Sequence, residues 1–263
     1  MTVWQAILLG AVQGLTEFLP VSSSGHLILA ERMLGIKTDG GLFFDITLHI
    51  GTLIPVFIVF YKSVKGLLKK PYKTLSYLVV ASVPAAITGF LFQDGIEDLF
   101  KGNGIFSASL LACAFVLTAA ELLFAEKISA KRKNALPLSL KSSIIMGVFQ
   151  SIAIIPGLSR SGTVITGGTL AGLDKDKNAE FAFLMSIPII LGATAISGVK
   201  AIKVGAEIEF LPVFFGVLSA AVFGYMAISV MLVAIKKAKF AGFSVYLAIL
   251  AAVSVLTKVL FGV

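Results

Sequence analysis

Hydrophobic residues in this chain fall in long blocks, separated by short stretches where Lys, Asp, Gly and Pro collect. Six blocks approach or exceed the roughly 20 residues a helix needs to cross the hydrocarbon core of a bilayer. They are Phe43–Tyr61, Thr74–Phe92, Ile105–Ala125, Phe181–Val199, Leu211–Ile235 and Phe243–Phe261. Backbone facing lipid must satisfy its hydrogen bonds within its own segment, so each block predicts a helix. Pro55, Pro84 and Pro188 lie within or near these blocks and predict kinks, or ends that face protein rather than lipid.

Two other apolar stretches break off at a polar turn. Val3–Leu19 stops at Pro20-Val21-Ser22-Ser23-Ser24-Gly25-His26 and resumes as Leu27–Leu34. Leu140–Ile155 stops at Pro156-Gly157-Leu158-Ser159-Arg160-Ser161-Gly162-Thr163 and resumes as Val164–Leu173. Neither resumed piece can cross alone. A helix–turn–helix that enters and leaves by one face accounts for both, with its tip deep in the membrane. Such a tip survives only when buried in protein or lining a cavity. The two stretches are also copies. At one constant offset Gly10 falls on Gly147, Gln13 on Gln150, Ser22 on Ser159, Ser24 on Ser161 and Gly25 on Gly162, and the match continues with Phe44 on Phe181 and Ile50 on Ile187.

The chain thus divides into repeats of approximately 1–130 and 138–263, each one re-entrant element plus three spans. Three is odd, so the second re-entrant element enters from the opposite face and the polar tips can meet near the midplane. The expected fold is an all-α polytopic membrane protein, a single integral domain over 1–263. It is an inverted-topology repeat of six transmembrane helices plus two re-entrant helix-loop-helix elements.

Composition agrees: 57% of residues are hydrophobic and 14% charged, against about a quarter charged in a soluble domain. The net charge of +8 could suggest nucleic acid, but its distribution reads as loop charge. Of the 22 Lys and Arg, fifteen fall in the loops around 62–73, 127–141, 175–177 and 236–239, six on the opposite face, and the last is Arg160. The rich face is expected to be cytoplasmic, with the first re-entrant element opening outward and both termini outside. The first cation is Arg32, so a basic leader region is missing and no cleavable signal peptide is expected. Cys113 is the single cysteine, which leaves disulfides no part.

Within this frame a few residues carry chemistry. Glu17 lies in an apolar run four residues after Gln13, on the same helix face, and an ionisable group at membrane depth usually marks function. His26 closes the Ser22-Ser23-Ser24-Gly25 turn near that carboxylate and suits proton transfer. In the second tip Arg160 stands between Ser159 and Ser161, with Thr163 following. Arg with hydroxyls at a helix start makes an anion site, especially for phosphate. The alternative for Arg160 is an internal salt bridge with Glu17. His49 and Asp45 are equally compatible with a site role and with interfacial anchoring. Glu121 reads as close to the cytoplasmic interface, Asp94–Asp98 as an outer loop and Asp174–Glu180 as a mixed-charge inner loop. Across the repeat Ser23 aligns with Arg160, His26 with Thr163 and Glu17 with Ile154, so one tip holds acid, base and hydroxyls and the other the cation. That division suits chemistry on an anionic substrate better than a symmetric pore.

The run from Gln13 to His26 and the run from Pro156 to Thr163 resemble the two signatures of the undecaprenyl-pyrophosphate phosphatases of the bacitracin-resistance type, and length, hydropathy and repeat match over the whole chain. The resemblance implies a multi-pass enzyme of the bacterial plasma membrane with its active site outside the cytoplasm. Such an enzyme converts undecaprenyl pyrophosphate to undecaprenyl phosphate and phosphate, recycling the lipid carrier for cell-wall synthesis and giving bacitracin resistance. Ser23, His26 and Arg160 match pocket positions of the family. The first acidic-motif position, Glu or Gln in the family, is Gln13 here, which leaves Glu17 as the main metal ligand.

The expected mechanism is phosphohydrolysis dependent on a divalent cation, Mg²⁺ or Ca²⁺, held by Glu17 with help from Gln13. Arg160 with Ser22, Ser159, Ser161 and Thr163 would hold the pyrophosphate, and His26 would transfer protons. The nucleophile is Ser23 or a water activated by His26. Expected partners are a polyprenyl pyrophosphate and membrane lipid, with no nucleic acid, and a homodimer is admitted. The rival readings are a transporter or flippase of the phosphorylated lipid, and a non-catalytic lipid-binding scaffold.

Overall fold

In the computed structural model, which describes residues 1–36, 41–101, 104–132, 134–203 and 209–261, the chain forms helices joined by short turns. In order they are α1 (Val3–Phe18), α2 (Ser23–Met33), α3 (Gly41–Val59), α4 (Tyr61–Leu67), α5 (Lys73–Lys101), α6 (Ile105–Lys131), α7 (Leu140–Ile152), α8 (Arg160–Ala171), α9 (Lys175–Lys203), α10 (Phe210–Lys237) and α11 (Ala241–Phe261). Five of them, α5, α6, α9, α10 and α11, are long and apolar enough to cross a bilayer. The remaining expected span, Phe43–Tyr61, falls on α3, which is long and apolar enough only together with α4, from which it is bent by 90°. Large side chains such as Trp4, Phe90 and Phe210 are exposed on the outer surface, as suits lipid rather than water.

The helices extend further than hydropathy indicates. The expected span Thr74–Phe92 lies inside α5, which runs on to Lys101, so Asp94–Asp98 continues a helix instead of forming a loop. Likewise α9 starts at Lys175 rather than Phe181. Asp174 accepts hydrogen bonds from the N–H groups of Asp176 and Lys177 at 3.0 and 3.1 Å, and that cap starts the helix inside the charged stretch. Pro55, Pro84 and Pro188 all sit inside helices. Lys37 and Lys133, both used in the loop-charge count, lie outside the described residues.

Packing follows an exchange between the halves. Helix α1 packs along α10 and α7 along α5, while α3 meets α9 and α6 meets α11. The repeat glycines permit the two intimate contacts. A Cβ on Gly10 would lie 2.3 Å from the carbonyl oxygen of Gly216, and one on Gly147 2.5 Å from that of Ala81. Beneath the tips, Phe183 of α9 is the hub of an aromatic cluster, 5.7 Å from Phe18 and 5.3 Å from Phe60 between ring centroids.

Candidate active site

Each polar turn is built the same way. Helix α1 stops because Pro20 forces Leu19 into extended backbone, at φ −72° and ψ 148°. Ser22 then caps α2, its Oγ accepting from the Gly25 N–H at 3.3 Å. Ser159, its counterpart in the repeat, caps α8 by accepting from the Gly162 N–H at 3.2 Å. The second helices therefore begin at Ser23 and Arg160, earlier than the expected Leu27 and Val164, because the Ser/Gly runs supply cap and first turn. Ser22 holds φ +69°, an unfavourable conformation for a residue with a side chain and the kind of strain that clusters at functional sites. In the second turn Gly157 carries φ +91°, and a Cβ there would strike Ala114 of α6 at 2.7 Å.

The tips meet. Ser161 Oγ donates to the Leu19 carbonyl at 3.0 Å, and the Gly157 N–H approaches Ser24 Oγ at 3.4 Å. Arg160 reaches across to form an ion pair with Glu17, Nη2 to Oε1. The positive ends of α2 and α8 thus converge, which favours a bound anion. Helix α6 forms one wall: a Cβ on Gly25 would meet the Phe115 ring at 2.5 Å, and Thr118 Oγ1 accepts from the Ser159 N–H at 3.1 Å.

Glu17 is the centre of the cluster, its side chain 2% exposed against 21% for Arg160. Oε2 accepts from Ser23 Oγ at 2.6 Å and from Gln13 Nε2 at 2.9 Å. The same amide nitrogen lies 3.1 Å from His49 Nδ1, and His49 Nε2 is 3.8 Å from Glu17 Oε2. Gln13, Glu17, Ser23 and Arg160 are therefore gathered as the motifs indicated, and His49 joins them on the side of α3. The internal ion pair between Glu17 and Arg160 forms as well. It occupies one arm of the guanidinium, while Nη1 is buried without a partner among the described residues.

His26 and Thr163 go elsewhere. Each is the fourth residue after its cap, and each bonds to the last helix of the other half. His26 Nε2 lies 2.7 Å from the Tyr246 hydroxyl on α11, and Thr163 Oγ1 donates to Glu121 Oε2 on α6 at 2.8 Å. Neither is hydrogen-bonded to Glu17 or Ser23 among the contacts described. Glu121, read from sequence as interfacial, is a half-buried neighbour of the second tip. The criterion that singled out Glu17, an acid within an apolar block, applies to it equally. Tyr246 carries no local motif that would have found it.

Among the described residues no group of three or more His, Cys, Asp or Glu could hold a metal ion. Glu17 supplies one carboxylate, and Gln13 Oε1 is buried without a partner. Two oxygens of this type fit Mg²⁺ or Ca²⁺ when phosphate oxygens and water complete the shell.

The family model described as bacitracin resistance protein BacA matches residues 6–253. The chain is similar to the undecaprenyl-diphosphatase of Carboxydothermus hydrogenoformans, 41% identical over 254 residues that cover 95% of each chain. It is also similar to proteins of the same name from Methanobrevibacter smithii, 39% identical over 269 residues and 94% of each chain, and from Bacteroides fragilis, 35% identical over 269 residues that span 98% of this chain and 99% of the relative.

Proposed function

The chain belongs to the bacitracin resistance protein BacA family, and on that premise we propose that it hydrolyses undecaprenyl pyrophosphate to undecaprenyl phosphate and inorganic phosphate. One observation carries the reading beyond family membership. Arg160 uses one arm on Glu17 and keeps the other buried and unpartnered, beside a serine already bonded to that carboxylate.

In this mechanism the terminal phosphate enters between the helix starts, and Arg160 turns its guanidinium onto the phosphate oxygens. Ser22, Ser159 and backbone N–H groups are further donors, and Ser161 exchanges its bond to the Leu19 carbonyl for one to phosphate. Released from Arg160, Glu17 takes the Ser23 proton. Ser23 Oγ attacks the terminal phosphorus, the bond to the bridging oxygen breaks, and undecaprenyl phosphate leaves. Glu17 passes that proton to the departing undecaprenyl phosphate. Water then attacks the phosphoserine and gives its proton to Glu17. The Ser23 Oγ–phosphorus bond breaks, inorganic phosphate leaves, and Glu17 returns the proton to Ser23 Oγ. His26 carries protons at the edge of the site. A divalent cation bound by Glu17 and Gln13 would neutralise charge on the phosphate oxygens.

We further propose that the site opens on the outer face of the plasma membrane and that activity there gives bacitracin resistance. The loop-charge bias supports that orientation. The exchanged packing of α1 on α10 and α7 on α5 supports an inverted repeat. The test is phosphate release from undecaprenyl pyrophosphate in detergent, with and without chelator. Release that requires the cation is expected. No release, together with transfer of the lipid phosphate across liposomes, would favour the flippase instead.

A further inference from the structure

We infer that Tyr246 is a positioning residue of this reaction, its hydroxyl holding the His26 ring by a hydrogen bond to Nε2 while the Ser22 carbonyl sets the tautomer; the inference rests on the phosphatase reading above. The argument begins at the other ring nitrogen. His26 Nδ1 lies 2.7 Å from the Ser22 carbonyl oxygen, which can only accept, so Nδ1 carries the hydrogen. In the neutral ring Nε2 is then an acceptor, and the Tyr246 hydroxyl donates to it at 2.7 Å.

The surrounding packing serves the same end. The Tyr246 and His26 rings lie nearly parallel at 12° with centroids 5.6 Å apart, and Phe115 stands edge-on to His26 at 6.1 Å. Imidazole plane and tautomer are both held, which is what a proton carrier beside a phosphate requires. Ser22, which fixes Nδ1, is the strained cap of α2, so one turn positions both Ser23 and the imidazole.

The bond also links elements whose main packing is elsewhere, for α2 lies chiefly on α1 and α11 on α6. Tyr246 itself is 45% exposed, beside Val245 and Ile249 at 60% and 59%, so its ring stands at the outer surface of α11. A phenylalanine would fill the ring site of Tyr246 equally well, so the hydroxyl is the part that the surrounding packing does not explain.

The test is Tyr246→Phe, which keeps the ring stack and removes the donor. The chain has two histidines, so protein labelled with ¹⁵N-histidine in micelles gives two imidazole spin systems, and His49→Gln assigns them. In the parent protein His26 is expected as a single tautomer, protonated at Nδ1 and hydrogen-bonded at Nε2. In Tyr246→Phe the hydrogen-bond shift at Nε2 is lost, and kcat for phosphate release falls about tenfold with KM unchanged. Unchanged His26 signals, a kcat within twofold of the parent, or a loss that appears only in KM would each overturn the assignment. If the parent itself released no phosphate, the phosphatase reading and this role would fall together, while the ¹⁵N spectra would still decide whether Tyr246 orients His26.

Discussion

The Ser23 hydroxyl donates to Glu17 Oε2 at 2.6 Å, so the base within reach of the serine is the carboxylate and not the imidazole of His26. Sequence alone allowed either Ser23 or a His26-activated water as nucleophile. The contact favours serine attack with Glu17 as proton acceptor. Glu17→Gln keeps the shape and removes the basicity, and Ser23→Ala removes the nucleophile. Each is expected to lower kcat by about a thousandfold or more, measured as phosphate release. A Ser23→Ala protein turning over within tenfold of the parent would mean that water attacks directly.

Arg160 neutralises Glu17, and in the proposed mechanism it also grips phosphate, two tasks that substitutions can separate. Arg160→Ala leaves a carboxylate with a 2% exposed side chain without its cation. Breaking a buried pair from one side costs about 3–5 kcal/mol, and the partial exposure of Arg160 places this case at the low end. Thermal unfolding in detergent is expected to fall clearly, along with activity. Arg160→Lys keeps the charge but loses the planar fork, so its unfolding temperature stays near the parent while kcat drops about a hundredfold. Equal destabilisation by both substitutions would contradict the separation.

The turns and their chemistry were legible because a polar Ser/Gly run inside an apolar stretch is rare and repeated. Ser22 and Ser159 could be read as special, and the pairing of Glu17 with Arg160 was among the alternatives. Helix boundaries were not legible to the residue, because a serine cap starts α2 and α8 inside what hydropathy scores as loop. Among the partners, sequence leaves His49 open between a site role and an anchor, and it places Glu121 at the interface although that residue meets the same criterion as Glu17. Tyr246 was hidden for a different reason: it belongs to a helix distant in sequence, and its bond to His26 follows from tertiary packing that leaves no local periodicity to read.

Gln13 and Gln150 occupy the same place in the two repeats but not the same environment. Gln13 bonds to Glu17 and lies against His49, whereas both polar atoms of Gln150 are buried without partners among the described residues. Replacing an unsatisfied buried amide by an apolar side chain of similar size is nearly neutral or stabilising, whereas removing a donor on which a buried carboxylate depends is not. Gln150→Met is therefore expected to retain activity and unfold at the same or a higher temperature. Gln13→Met should lose about ten- to a hundredfold in kcat. Similar losses in both would show that Gln150 serves a polar site of its own.

Gly10 and Gly147 test the packing of the two re-entrant elements. A methyl group at Gly10 meets the Gly216 carbonyl oxygen at 2.3 Å, and one at Gly147 meets that of Ala81 at 2.5 Å. Both obstacles are backbone, so a helix must move. Overpacking of this type costs about 1–3 kcal/mol, which lowered unfolding temperatures of Gly10→Ala and Gly147→Ala would register. Wild-type melting of either variant would contradict that close approach.

Cation removal separates chemistry from stability. Where a metal is the sole counter-charge of a buried carboxylate, chelation leaves that charge uncompensated and the fold loses stability. Glu17 is arranged differently, since Arg160 neutralises it and Gln13 and Ser23 donate to it without any ion. Chelation is therefore expected to abolish phosphate release while shifting the unfolding temperature of the substrate-free protein by no more than about 1 °C, because a ligand stabilises only as far as it binds the folded state. Readdition of Mg²⁺ or Ca²⁺ should restore turnover in the parent but not in Glu17→Gln. A large drop in unfolding temperature on chelation would mean that the ion is structural and that the pairing of Arg160 with Glu17 does not carry the charge balance of the resting site.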